Sequence, residues 1–251
     1  MVYRRFSVAL SFLTVFRLPG GFPADAAPGD LAESFAVFPL VGLVLGGCSL
    51  LTAYLLHKIM PAALAAVWTT IAATLLTRAL HLDGLGDLAD GLGGGYTPAR
   101  RLEIMKDSRS GAFGVIAIVL ALSVKIVSLS AILAAGNWLA LPLIPAVSRF
   151  AIVAAAYKMD YARREGGMGK PFLENMRGAS LFWAAALAAV PAVLLSPRYF
   201  WLYLAGALLV AGAMRGLSRR TLGGVTGDVL GAVNEAAEMV LYTIAAGLTL
   251  R

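Results

Sequence analysis

Three aspartates, Asp83, Asp87 and Asp90, recur at i, i+4 and i+7 in a stretch that otherwise holds mostly Leu, Gly and Ala after His81. On a helix of about 3.6 residues per turn they point to about 0°, 40° and −20°, a single narrow face. Like charges at that spacing repel and weaken an isolated helix, so the arrangement makes sense around a hard cation. Mg2+ prefers oxygen ligands, retains water and bridges carboxylates to substrate phosphates. A solvated polar face is the alternative, and the apolar and small residues between the aspartates speak against it. His81 falls roughly opposite Asp83, which suits an interfacial or hydrogen-bonded histidine better than a metal ligand. Gly93, Gly94 and Gly95 follow; their backbone amides could approach a phosphate, or they could form a plain flexible connection.

Two further polar clusters carry chemistry. The first runs from Arg100 and Arg101 through Glu103, Lys106, Asp107 and Arg109 to Gly111 and Gly114. Lys and Arg suit the oxygens of a pyrophosphate. Arg100 and Arg101 read as an ordinary basic flank of a membrane span, whereas Lys106, Asp107 and Arg109 read as functional. The second is Gly223, Gly224, Thr226, Gly227 and Asp228, followed by Gly231, Asn234, Glu235 and Glu238. A glycine-rich turn with Asp at a helix start is compatible with anion binding or metal ligation there. Glu235 and Glu238 lie one turn apart inside an apolar segment, where carboxylates are costly and signal function. A structural ion pair with Lys125 or Arg149 is the equal alternative, and either role turns both carboxylates into the bundle.

The elements that position these groups follow from composition. Of 251 residues, 59% are hydrophobic and only 14% charged, against about 25% charged in soluble domains. A soluble globule and a disordered chain are excluded, and the single cysteine, Cys48, excludes a disulfide scaffold. A polytopic membrane protein remains, an all-α transmembrane bundle forming one domain over residues 1–251. A span needs about 20 apolar residues. Seven segments qualify: Ser34–Leu56, Pro61–Leu80, Ala112–Ala135, Trp138–Tyr157, Ala179–Leu195, Tyr199–Met214 and Asp228–Leu250, the fifth and sixth being short. Phe6–Phe16 is too short to span and reads as an interfacial helix. No small-residue cleavage site follows it, so it is not read as a signal peptide.

The loops fall into two sets. The N-terminus with residues 17–33, 81–111, 158–178 and 215–227 holds fifteen of the 21 Lys and Arg; residues 57–60, 136–137, 196–198 and the C-terminus hold three. The excess of positive charge on cytoplasmic loops places the first set in the cytoplasm. The net charge of +7 is then accounted for by loops facing anionic membrane lipid, with no need of nucleic acid.

Taken together, the motifs resemble the cobalamin synthase family, adenosylcobinamide-GDP ribazoletransferase. The resemblance rests on His81–Gly91, on Glu103–Gly114 and on Gly223–Ala232 with Glu235 and Glu238, and covers essentially the whole chain. It implies a multi-pass protein of a bacterial or archaeal inner membrane, with Mg2+ as cofactor and an active site facing the cytoplasm. The implied substrates are adenosylcobinamide-GDP and α-ribazole or its 5′-phosphate, joined with release of GMP. On this resemblance Asp83, Asp87 and Asp90 are expected to hold Mg2+, one of them accepting the hydroxyl proton. Lys106 and Arg109 would hold phosphate oxygens, and Asp107 and Asp228 would be second metal ligands. His81, Gly93, Gly94, Glu103, Gly111, Thr226, Asp228, Glu235 and Glu238 complete the expected substrate contacts. A CDP-alcohol phosphotransferase would carry longer gaps between its aspartates, and an ion-coupled transporter would show inverted repeats; neither feature is present. The oligomeric state stays open, a homo-oligomer included.

Overall fold

The computed structural model describes residues 2–19, 28–163, 165–167 and 169–250. Arg164 and Arg251, two of the loop cations counted above, lie outside the described residues. The described chain is helical: α1 (Val2–Leu13), α2 (Pro28–Ser34), α3 (Phe38–His57), α4 (Ala62–Leu76), α5 (Leu80–Gly94), α6 (Pro98–Ile104), α7 (Ala112–Ala134), α8 (Ala140–Ala156), α9 (Lys170–Glu174), α10 (Gly178–Leu195), α11 (Phe200–Leu222) and α12 (Gly227–Leu248). The only β pairing among the described residues is an isolated bridge between Tyr161 and Val225.

α8 is the axis of the bundle. All of its residues but Pro142 and Ala154 are buried. It packs on α3, α10, α11 and α12, and α12 in turn packs on α5 and α7. The α3–α8 contact is set by Gly42 and Gly46, one turn apart. A Cβ on Gly42 would stand 2.6 Å from Ala146 Cα, and one on Gly46 would stand 2.6 Å from Leu141 O. Small residues four apart let helix backbones touch, the usual means of association in lipid. Gly46→Leu is therefore expected to cost at least about 1–3 kcal/mol by overpacking, read as a lower melting temperature and folded yield in detergent.

Five described helices are long and apolar enough to span, and the α4–α5 pair makes a sixth if taken as one span broken by an 88° bend. The seven expected spans are thus not all found. The expected Pro61–Leu80 stops at Leu76, because Arg78 and Ala79 adopt left-handed φ of 53° and 54°, a conformation that costs non-glycine residues about 1–2 kcal/mol each. The bend is held by α1: the Arg78 guanidinium donates to the carbonyls of Ser11 and Phe12, and Val15 N donates to Leu76 O at 2.8 Å. α8 has only 17 residues; enclosed by other helices, it has no need to match the bilayer.

Two more boundaries differ from expectation. The apolar face of α1, including Val8, Ala9, Leu10 and Leu13, is buried in the protein core rather than laid on lipid. The expected Tyr199–Met214 span extends to Leu222 and ends at Gly223 with φ 78°, so Arg215, Arg219 and Arg220 ride on helix, not loop. Arg215 donates to the carbonyls of Ala154, Ala155 and Tyr157 and so caps the C-terminus of α8. At the opposite end of the bundle Tyr54, His57 and Trp138 pack together, the aromatic girdle of a membrane interface.

Candidate active site

α5 carries the acidic face and is seated between α7 and α12 by its glycines. A Cβ on Gly84 would stand 2.8 Å from Asp228 O, and one on Gly231 of α12 would stand 3.3 Å from His81 Cα. On the other side Gly86 approaches Gly114 and Ile118 of α7. The small residues between the aspartates therefore serve close packing, with the carboxylates carried along at fixed positions.

Each aspartate then meets a different environment. Asp90 accepts hydrogen bonds from Gly111 N at 2.7 Å and Gly114 N at 2.8 Å. It caps α7, with its charge at the positive end of the helix dipole. The carboxylates of Asp83 and Asp87 make no hydrogen bond or ion pair among the described residues. Asp87 feels the carboxylates of Asp228, Asp83 and Asp90 and the guanidinium of Arg163. Among the described residues no three His, Cys, Asp or Glu side chains form a group that could hold a metal, so the shared face is not a preformed cage. Mg2+ rarely needs one: it is usually bound by one or two carboxylates and substrate phosphates. Two uncommitted carboxylates beside an anionic neighbour fit that mode.

The expected polar loops converge on one end of the bundle. Arg163 donates to Asp228 Oδ2 at 2.6 Å and to Met105 O at 3.4 Å, and Arg101 donates to Thr221 O at 3.0 Å. Lys106 pairs with Glu165 at 2.6 Å, in solvent, and Arg109 pairs with Asp107 at 2.7 Å. The Arg109 guanidinium holds the Asp107 carboxyl down at about 2. Glu103 pairs with Arg100. Two open basins flank α6. One, of about 500 Å³, is lined by Asp90, Gly94, Glu103, Asp107, Arg109 and Gly111. The other, of about 780 Å³, is lined by Lys106, Arg163 and Glu165. Both match the volumes of ligand sites. Lys106 and Arg109 thus stand in separate basins rather than on one phosphate. Gly93 faces the Phe113 ring, and the buried Thr226 hydroxyl caps α12 by accepting from Val229 N.

A buried charge layer lies deeper. Lys125 pairs with Glu235 at 3.0 Å and with Glu238 at 2.5 Å, and Arg149 also pairs with Glu238. Asn234 donates to both carboxylates. Glu235 and Glu238 face the interior, as expected, and two cations balance two anions. Arg149 and Thr69 each keep a buried polar atom without a partner among the described residues, and both line a cavity of about 40 Å³ with His81 and Tyr242. That is room for two or three water molecules.

Arg163 is a candidate site residue that the sequence pattern does not single out. It was one basic loop residue among many, and no spacing ties it to Asp228, 65 positions away. Comparison with known proteins adds an independent line. The profile of the cobalamin-5-phosphate synthase family matches residues 5–246. The adenosylcobinamide-GDP ribazoletransferase of Syntrophobacter fumaroxidans is 54% identical over 98% of this chain and 99% of its own length. That of Stutzerimonas stutzeri is 40% identical over 92% and 93%, and that of Ralstonia pickettii 37% over 90% and 89%. No solved structure matches.

Proposed function

The chain belongs to the cobalamin-5-phosphate synthase family, and from that premise we propose how this bundle carries out the reaction named for its relatives, the transfer of ribazole to adenosylcobinamide-GDP. A hydroxyl of α-ribazole or its 5′-phosphate attacks the phosphorus bonded to the cobinamide oxygen. The new P–O bond forms as the bond to the GMP oxygen breaks, GMP leaves, and the hydroxyl proton passes to a carboxylate. One observation carries the reading: the acidic face of α5 meets the Arg163–Asp228 pair beside a basin holding Lys106. Cations for a diphosphate thus adjoin carboxylates for a nucleophile.

Asp83 and Asp87 are the residues that would hold Mg2+, whose bound charge would offset that of the diphosphate. Asp83 or Asp87 accepts the proton, and Lys106 and Arg163 bind and orient phosphate oxygens. Such phosphoryl transfer rests on positioning and charge neutralisation. Purified protein given adenosylcobinamide-GDP and α-ribazole is expected to release GMP; release from neither this pair nor the 5′-phosphate would overturn the reading.

The mouth faces the cytoplasm of an inner membrane, a reading supported by the fifteen Lys and Arg that the sequence gathers in the segments at that end, against three in the opposite segments. Cysteine at Ser108 is expected to resist an impermeant thiol reagent in intact cells, and cysteine at Asn137 to react, both in a Cys48→Ser background. The reverse pattern would invert the topology.

A further inference from the structure

A second cavity, of about 130 Å³, opens beside the acidic face and is walled by Phe12, Phe35, Phe38 and Phe172, with Asp83 and Asp228 also on its lining. The rings form a continuous aromatic wall: Phe12 and Phe172 centroids are 4.7 Å apart, Phe35 and Phe38 4.8 Å, and Phe35 and Phe172 5.4 Å. α1, α3, α9 and the turn before α3 each supply one ring, so four separate elements converge to build it.

We propose that this cavity seats the planar aromatic base of the nucleoside substrate, with its ribose projecting past Asp83 and Asp228. The proposal rests on the ribazole-transfer reading. Three observations carry it. An apolar cavity of about 150 Å³ accepts one benzene-sized ring, so this one takes a single ring of a fused base and leaves the rest to emerge. Aromatic walls favour stacked and edge-on contact with such a ring. Its polar lining of His81, Asp83 and Asp228 holds no Lys or Arg and offers acceptors to ribose hydroxyls, while the cations that suit a diphosphate lie in the basin with Lys106 and Arg163. The nucleophile's hydroxyl and the phosphorus it attacks are thereby drawn from opposite sides of the Arg163–Asp228 pair.

The test uses α-ribazole as probe with full-length protein in detergent. Phe172→Leu and Phe12→Leu are each expected to weaken its binding, and to raise its KM, by about 3- to 10-fold, the scale of one lost ring contact. The KM for adenosylcobinamide-GDP should hold. On the unmodified protein, free benzimidazole should compete with α-ribazole and not with the corrinoid, an arm that needs no variant to fold. Variants that move both KM values alike, or neither, would overturn the assignment. So would benzimidazole competing with the corrinoid, or α-ribazole being displaced by lipid alone. Protein that binds α-ribazole through these rings yet releases no GMP would refute the transfer reading and leave the cavity assignment standing.

Discussion

Asp83→Asn and Asp87→Asn are each expected to slow GMP release by about two to three orders of magnitude, the loss seen when one group that stabilises transition-state charge is removed. The motive is their freedom: among the described residues neither carboxylate is spent on an ion pair or a cap, although they sit on one helix face beside Asp228 and Arg163. EDTA should abolish turnover and excess Mg2+ restore it. Asp90 should behave differently. Its two hydrogen bonds tie α5 to the start of α7, so Asp90→Ala should lose stability, by about 1.5–3 kcal/mol per charge-assisted bond, and show first as reduced folded yield. Steady-state GMP release and thermal unfolding in detergent separate the two outcomes. Normal rates for both asparagine variants in the presence of EDTA would remove the metal and the carboxylate roles together.

Glu238→Ala is expected to be the most destabilising single change in the buried charge layer. It strands Arg149 and leaves Lys125 with Glu235 alone. Breaking a buried pair from one side costs about 3–5 kcal/mol, because the remaining buried charge loses its counter-ion. Glu235→Ala should cost less, since Lys125 keeps Glu238. Size-exclusion yield and melting temperature measure the ranking, and turnover per folded molecule of Glu238→Gln should stay near normal. Normal yield with lost turnover would instead move Glu238 into the reaction.

Much of this was legible in the sequence, and the exceptions have physical causes. The acidic face of α5, the meeting of three loops at one end and the inward turn of Glu235 and Glu238 all follow from helical periodicity and the cost of charge in lipid. Those are local or additive properties, visible in any window of the chain. The bend at Arg78–Ala79 was not visible. No glycine or proline marks it, and contacts from α1, about 65 positions away, hold the backbone where its own preferences would not. The length of α11 was missed because hydropathy ends at Arg215, while the helix continues past the apolar zone. The aromatic cavity was missed for a third reason: its four rings come from distant segments, and nothing in their spacing shows that they converge.

The bend at the end of α4 also bears on the lipid itself. Fifteen residues rise only about 22 Å, short of a hydrocarbon layer about 30 Å thick. α8 is short as well but enclosed, whereas α4 turns Leu64, Trp68, Ile71 and Leu75 outward. A short span is met by thinning of the bilayer, by flanking side chains that reach to the interface or by another protein surface, each at a fraction of a kcal/mol per ångström of mismatch. The mismatch lies where α4 gives way to α5, next to the carboxylates. Acyl-chain length is then the variable to test: if thinning is the answer, GMP release in short-chain vesicles is expected to exceed that in long-chain vesicles, and equal rates would remove the idea.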